Sequence, residues 1–237
     1  MPTAIESRQS LVLVTDAAVQ ASLALLDRLS GSPDEVRANL LEGVPSLISM
    51  YGDASASLAA DFYDETRENA GLTGYSAQLI VPDRTETIRN AIAWAAQPLF
   101  DGLGAAQSRL AEVVQPEVAR PYRETIIGNR RQDPDATGWQ RVAKGDACKF
   151  CLMLAGRGSV YKEATANFAA HPHCDCTVQP VFYRKVSHPT LGTALQKYDV
   201  GPEATPLQYM ASARNRTPQQ KAILRNYLNA HYPDSPG

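Results

Sequence analysis

The sequence predicts a mainly α-helical protein: a helical N-terminal domain followed by a small α+β domain with a Cys/His cluster of metal-binding type. Three observations carry this. Over the first ~130 residues, apolar side chains return at three- and four-residue steps, the period of one helix face. Asp133-Pro134-Asp135-Ala136-Thr137-Gly138 then gathers Pro, Asp and Gly in one stretch, the composition of a linker. Beyond it, all four cysteines and two of the four histidines fall between Cys148 and Cys176. The expected division is residues 1–132 for the helical domain, 138–186 for the Cys/His part and 187–237 for a tail ending in a helix.

The elements follow in order. Leu11, Leu13, Val14, Ala18, Ala21, Leu25 and Leu26 line one face of a first helix that Gly31 ends. Ser32-Pro33-Asp34-Glu35 opens the second, with Ser as cap, Pro at the first helical position and Glu reaching back. Pro45 should kink or restart that helix, because it has no N–H and crowds the preceding turn. Leu47, Tyr51, Leu58 and Phe62 continue a stripe, while Asp61, Asp64, Glu65 and Arg67 are expected in water. Gly71 to Asp83 reads as a loop. Two further helices are expected, roughly Thr85 to Gln97 and Ala105 to Asn129, the second interrupted by Pro116 and Pro121. Trp139 to Ala143, Ser159 to Tyr161 and Thr177 to Tyr183 are strand candidates, rich in β-branched and aromatic residues. Thr217-Pro218-Gln219-Gln220 is a capping box for a terminal helix.

Composition narrows the function classes. A net charge of −2 argues against a dedicated nucleic-acid binder, which carries an excess of Lys and Arg. No basic-then-apolar leader opens the chain, and no uninterrupted apolar run approaches the ~20 residues of a membrane span. Reducing cytoplasm is therefore the expected setting, where paired cysteines bind metal more often than they form disulfides.

Cys148-Lys149-Phe150-Cys151 and His171-Pro172-His173-Cys174-Asp175-Cys176 hold six soft donors for the four positions of a tetrahedral zinc site. Cys148, Cys151, His171, Cys174 and Cys176 are the candidate ligands, with His173 as a spare. Small thiols packed in a core, or a redox pair, are the competing readings of the same residues. The cluster lacks the H-x-E of a deaminase and the H-E-x-x-H of a metalloprotease, so a bound zinc would be structural. Asp146 and Asp175 flank the cysteines as acids that orient ligands or cap turns. Gly156-Arg157-Gly158-Ser159 has neither the Lys nor the spacing of a phosphate-binding loop, and no G-x-S-x-G is present. Arg120, Arg123, Arg130, Arg131 and Arg141 read as solvated positions on a helix end and its exit rather than as a phosphate-binding face.

Gly138-Trp139-Gln140-Arg141-Val142-Ala143, the two cysteine motifs and Gly158-Ser159-Val160-Tyr161 between them resemble the phage Mu F-like head morphogenesis family of minor capsid proteins. The form found in tailed phages and prophages of actinobacteria looks especially similar. Tyr51-Gly52-Asp53 and Ala59-Ala60-Asp61-Phe62-Tyr63-Asp64 are similar to its N-terminal half. The resemblance implies a non-enzymatic minor head protein in the virion, at the portal vertex or capsid interior, that passes through the host cytoplasm during assembly. Its implied partners are the portal protein or major capsid protein, with packaged DNA as a further contact and no membrane. Asp175 stands where that family usually has a basic residue, which weakens DNA contact at this loop. The rival functions are a phage maturation protease or nuclease and a zinc-knuckle nucleic-acid binder.

Overall fold

In the computed structural model the described residues are 3–100, 102–145, 147–156, 175–188 and 192–197, with isolated positions 217–219, 222, 226, 229 and 230. Among them are five α-helices: α1 (Ala4–Arg28), α2 (Pro33–Asn69), α3 (Thr85–Ala95), α4 (Leu103–Gln132) and α5 (Lys149–Ala155). Three strands, β1 (Ala136–Val142), β2 (Thr177–His188) and β3 (Gly192–Lys197), form one antiparallel sheet in the order β1-β2-β3. The expectations for Asp146, Gly158, Ser159 to Tyr161, His171, His173 and Cys174 lie outside the described residues. The positions seen from Pro218 to Ala230 are helical, where a terminal helix is expected.

Helices α1 and α2 begin at reciprocal caps. Ser32 and Glu35 form the expected box at the start of α2, and Thr3 with Glu6 forms another at α1. The Thr3 box is the same four-residue pattern and was readable in the sequence. The buried stripe of α1 is Ser7, Arg8, Leu11, Thr15, Ala18, Ser22 and Leu26, and the expected Leu13 points outward at 71% exposure. Thr15 and Ser22 can sit inside because their hydroxyls donate to the carbonyls of Val12 and Ala18, at 2.9 and 2.8 Å, so no polar group is stranded. By length and mean hydropathy α1 alone among the described helices could cross a membrane; here its stripe packs on α2 and α4.

The prolines do not break the helices. Helix α2 runs through Pro45 and α4 through Pro116 and Pro121. A mid-helix proline leaves the carbonyl four residues earlier without its donor. At Pro45 that carbonyl belongs to Leu41, and Arg89 of α3 donates to it at 3.2 Å. A neighbouring helix thus replaces the missing bond. Gly52 lets the Pro121 ring approach α2, where a Cβ would lie 3.4 Å from its Cγ. Ser55 donates to the Val118 carbonyl at 2.6 Å across the same crossing. Small residues on α2 therefore let the two long helices pack closely.

The loop after α2 is tied down along α4. Asn129 accepts from the Gln78 N–H and donates to the Gln78 carbonyl, both at 2.7 Å. Thr125 accepts from the Ile80 N–H at 3.1 Å. At the loop's end Arg84 pairs with Glu117 through two bonds of 2.8 and 2.9 Å, and Arg120 adds longer ones. Burial pushes the Glu117 carboxyl up, but hydrogen bonds and charge from the two arginines more than reverse this and hold it below 4.5. Its folded form therefore binds fewer protons than its unfolded form, and the stability this adds is present above about pH 4.5 and lost as pH falls through the lowered value. Unfolding midpoints taken between about pH 5 and pH 3 should fall, and Glu117→Gln should flatten part of that slope.

The segment expected to be a linker is a core junction. Asp133 is buried, and its side chain accepts from Arg67 Nε at 2.8 Å and from the Tyr63 hydroxyl at 3.2 Å. Arg67 Nη2 also reaches Asp135 at 2.6 Å. Arg67 was expected in water; it is 2% exposed, and this ion-pair network is what its burial requires. One apolar cluster contains Leu11, Phe62, Tyr63, Tyr122 and Ile126 from the helices and Ala136, Trp139, Val178 and Phe182 from the sheet. Tyr63 meets Phe182 edge to face at 5.3 Å. The helical part and the β1–β2 ladder therefore share one core, and no exposed linker separates them at 133–138. The tail is corrected as well: β2 extends past Val186, and β3, within the expected tail, pairs with it from His188↔Gly192 to Tyr183↔Lys197. Pro180 falls in the half of β2 that β3 does not reach, where a missing N–H need not cost a ladder bond.

Candidate functional site

The register of β1 on β2 brings the two cysteine motifs together. Val142 pairs with Thr177, so the chain entering β2 at Cys176 lies beside the exit of β1, a few residues before Cys148. The chain turns there, with the Ala147 N–H on the Lys144 carbonyl at 3.0 Å, and Cys148 caps α5. The Cys151 N–H donates to Cys148 Sγ at 3.4 Å. Cys151 and Cys176 are buried against each other at 1% and 3% exposure, with Ala143, Ala147, Cys148 and Phe150 packed around them. Cys148 is half-buried, and none of these three cysteines is in a disulfide.

Three buried arginines converge on this corner from different elements. Arg8 of α1 pairs with Asp175 at 2.9 Å. Arg123 of α4 donates to the Cys176 carbonyl at 2.9 Å. Arg141 of β1 places Nη1 3.9 Å from Cys151 Sγ. Ser7 shares a 2.5 Å hydrogen bond with Tyr122 beside them, and burial pushes the Tyr122 hydroxyl up, so it stays neutral. A guanidinium taken out of water is costly unless it is paired, and these three are engaged with the chain at Asp175 and Cys176 or with the Cys151 sulfur. The arrangement clamps the start of β2 onto the helices and brings the Arg141 guanidinium to the buried Cys151 sulfur.

Sequence reading located the thiols and missed the arginines. Arg123 and Arg141 are 6% and 4% exposed, so they do not belong to a solvated basic surface. Arg130 reaches the Thr137 carbonyl at 3.4 Å, and Arg120 pairs with Glu117. Arg8 could have been found: it stands one turn before Leu11 on the inward stripe of α1, where a charge needs a buried partner. Asp175 is tied to α1 through Arg8. Of the expected zinc ligands, Cys148, Cys151 and Cys176 are described and gather in one place; His171 and Cys174 are not described. Among the described residues no three His, Cys, Asp or Glu side chains converge to hold a metal ion. The described donors by themselves therefore do not close a zinc site.

Fold and site together define a helical bundle sealed by a small sheet, with ion pairs such as Arg67–Asp133 and Arg8–Asp175 inside it. The chain belongs to a phage family, the VG15 protein family, whose model matches residues 3–199 and so spans both cysteine motifs. The phage assignment implied by the motifs holds at this level. No curated protein and no solved structure matches the chain.

Proposed function

We propose that this chain is a minor component of the phage head, held at the portal vertex or the inner capsid surface, and that it acts by binding and scaffolding rather than by catalysis. The observation that carries the reading is membership of a virion-associated phage family over residues 3–199. The head-morphogenesis resemblance of Trp139 to Cys176 supports the finer placement. The pairing of Arg67 with Asp133, Arg84 with Glu117 and Arg8 with Asp175 supports the non-catalytic part, since such groups hold the fold and leave little acid or base poised for substrate. Trp94, Phe100 and Leu103, all exposed around the start of α4, offer apolar surface for a neighbour in the particle.

Quantitative mass spectrometry of purified virions and proheads tests this. The chain should be present in few copies per particle, and should co-elute with the portal protein after co-expression. Absence from both particles would overturn the reading. So would protease or nuclease turnover by the purified chain that Cys148→Ser abolishes.

A further inference from the structure

We propose that the end of the bundle where α1 hands over to α2 is a two-fold interface whose occupant is a second copy of this chain, with Phe100 of each copy seated in a hollow of the other. The inference names a partner for the apolar surface around the start of α4 and does not rest on the virion role. Phe100 closes the short helical turn Gln97–Phe100 between α3 and α4, and its large apolar ring is 57% exposed. Trp94 near the end of α3 and Leu103 at the start of α4 are exposed on either side of it in the chain. Next to this ridge lies a hollow of about 200 Å³, walled by Leu26, Asp27, Leu29, Val36, Leu99 and Leu103. Leu99 and Leu103 bracket Phe100 and join ridge to hollow, while Phe100 does not line the hollow of its own chain.

A two-fold contact is isologous: one patch faces itself, so it must carry both a projection and a recess that takes it. This patch carries both, and the hollow has room for one aromatic ring. An unrelated partner would call for only one of the two. A buried aromatic ring at the centre of a contact is also the kind of anchor that dominates its energy. Charge favours the same pairing. Asp27 stands at the hollow, held in its own copy by the Gln107 side chain at 2.9 Å, a neutral donor. Arg109 stands at the ridge, 4.6 Å from the centre of the Trp94 ring and bonded to the Trp94 carbonyl at 3.4 Å. When the ridge of one copy meets the hollow of the other, opposite charges come together rather than like ones.

Sedimentation equilibrium of the full chain tests this. The native chain should pass from monomer to dimer as concentration rises and stop there, because a two-fold contact closes on itself. Phe100→Asp should raise the dimer dissociation constant at least about thirtyfold, the equivalent of a ~2 kcal/mol anchor. That ring is mostly exposed in a single copy, so the variant should unfold at the native midpoint when both are dilute. Only the native midpoint should climb with concentration. A photo-reactive benzoylphenylalanine placed at position 100 of isotopically heavy chain, mixed with light chain, should link heavy to light within residues 26–36. Should Phe100→Asp fail to fold, that link decides alone. A native chain monomeric at every concentration, a dimer that Phe100→Asp leaves intact, or a link elsewhere or confined to one copy would each overturn the proposal. So would a monomer that captures the portal protein through this face, a result that supports the virion reading while removing the second copy.

Discussion

Replacing Arg67 by methionine should destabilise the protein by about 3–5 kcal/mol, the range for breaking a buried ion pair from one side. Methionine fills much of the same volume, so the loss comes from charge rather than from a cavity. Asp133, with a fully buried side chain, would keep only the Tyr63 hydroxyl and its local backbone bond as partners. Asp135 is 40% exposed, so its lost pairing with Arg67 adds little. Urea unfolding measures the difference. The double change Arg67→Met with Asp133→Leu should recover a good part of it, because it removes both charges together. A single-variant loss below about 1 kcal/mol, the range of an exposed pair, would show that water reaches this junction.

Trp139→Ala should cost about 3–5 kcal/mol, as large aromatic truncations in a core do. Trp139 is 1% exposed in the cluster that joins Tyr63, Tyr122 and Ile126 to Val178 and Phe182. Since helices and strands contribute to that one cluster, unfolding should remain a single transition, at a lower denaturant midpoint. Limited proteolysis should open the helices and the β1–β2 ladder together. A variant in which the sheet melts first and a resistant fragment of residues 3–132 survives would show two separate cores.

Local chemistry was legible in the chain itself. Ser32 and Glu35 cap α2 because a hydroxyl and a carboxylate at that spacing satisfy each other's backbone donors with no help from elsewhere. The Gly71 to Asp83 loop and the β1 and β2 segments also follow from turn residues and β-branched or aromatic runs. Short spacing likewise kept Cys148 and Cys151 together. The phage assignment rested on the same local motifs.

What only the tertiary structure decided is where distant groups meet. Pro45 reads as a break because its own turn loses a hydrogen bond; the helix continues because Arg89, on another helix, supplies a donor to the Leu41 carbonyl. Arg67 reads as a wet residue by its type, and Asp133 to Gly138 as a linker by its composition, yet Arg67 and Asp133 are each buried because the other is there to neutralise it. Arg8, Arg123 and Arg141 lie far apart along the chain, and packing brings them to Asp175, Cys176 and Cys151. Hydrogen-bond caps and period are properties of a few neighbouring residues and survive in the sequence. Charge burial depends on a partner supplied from across the core, and no local pattern records it.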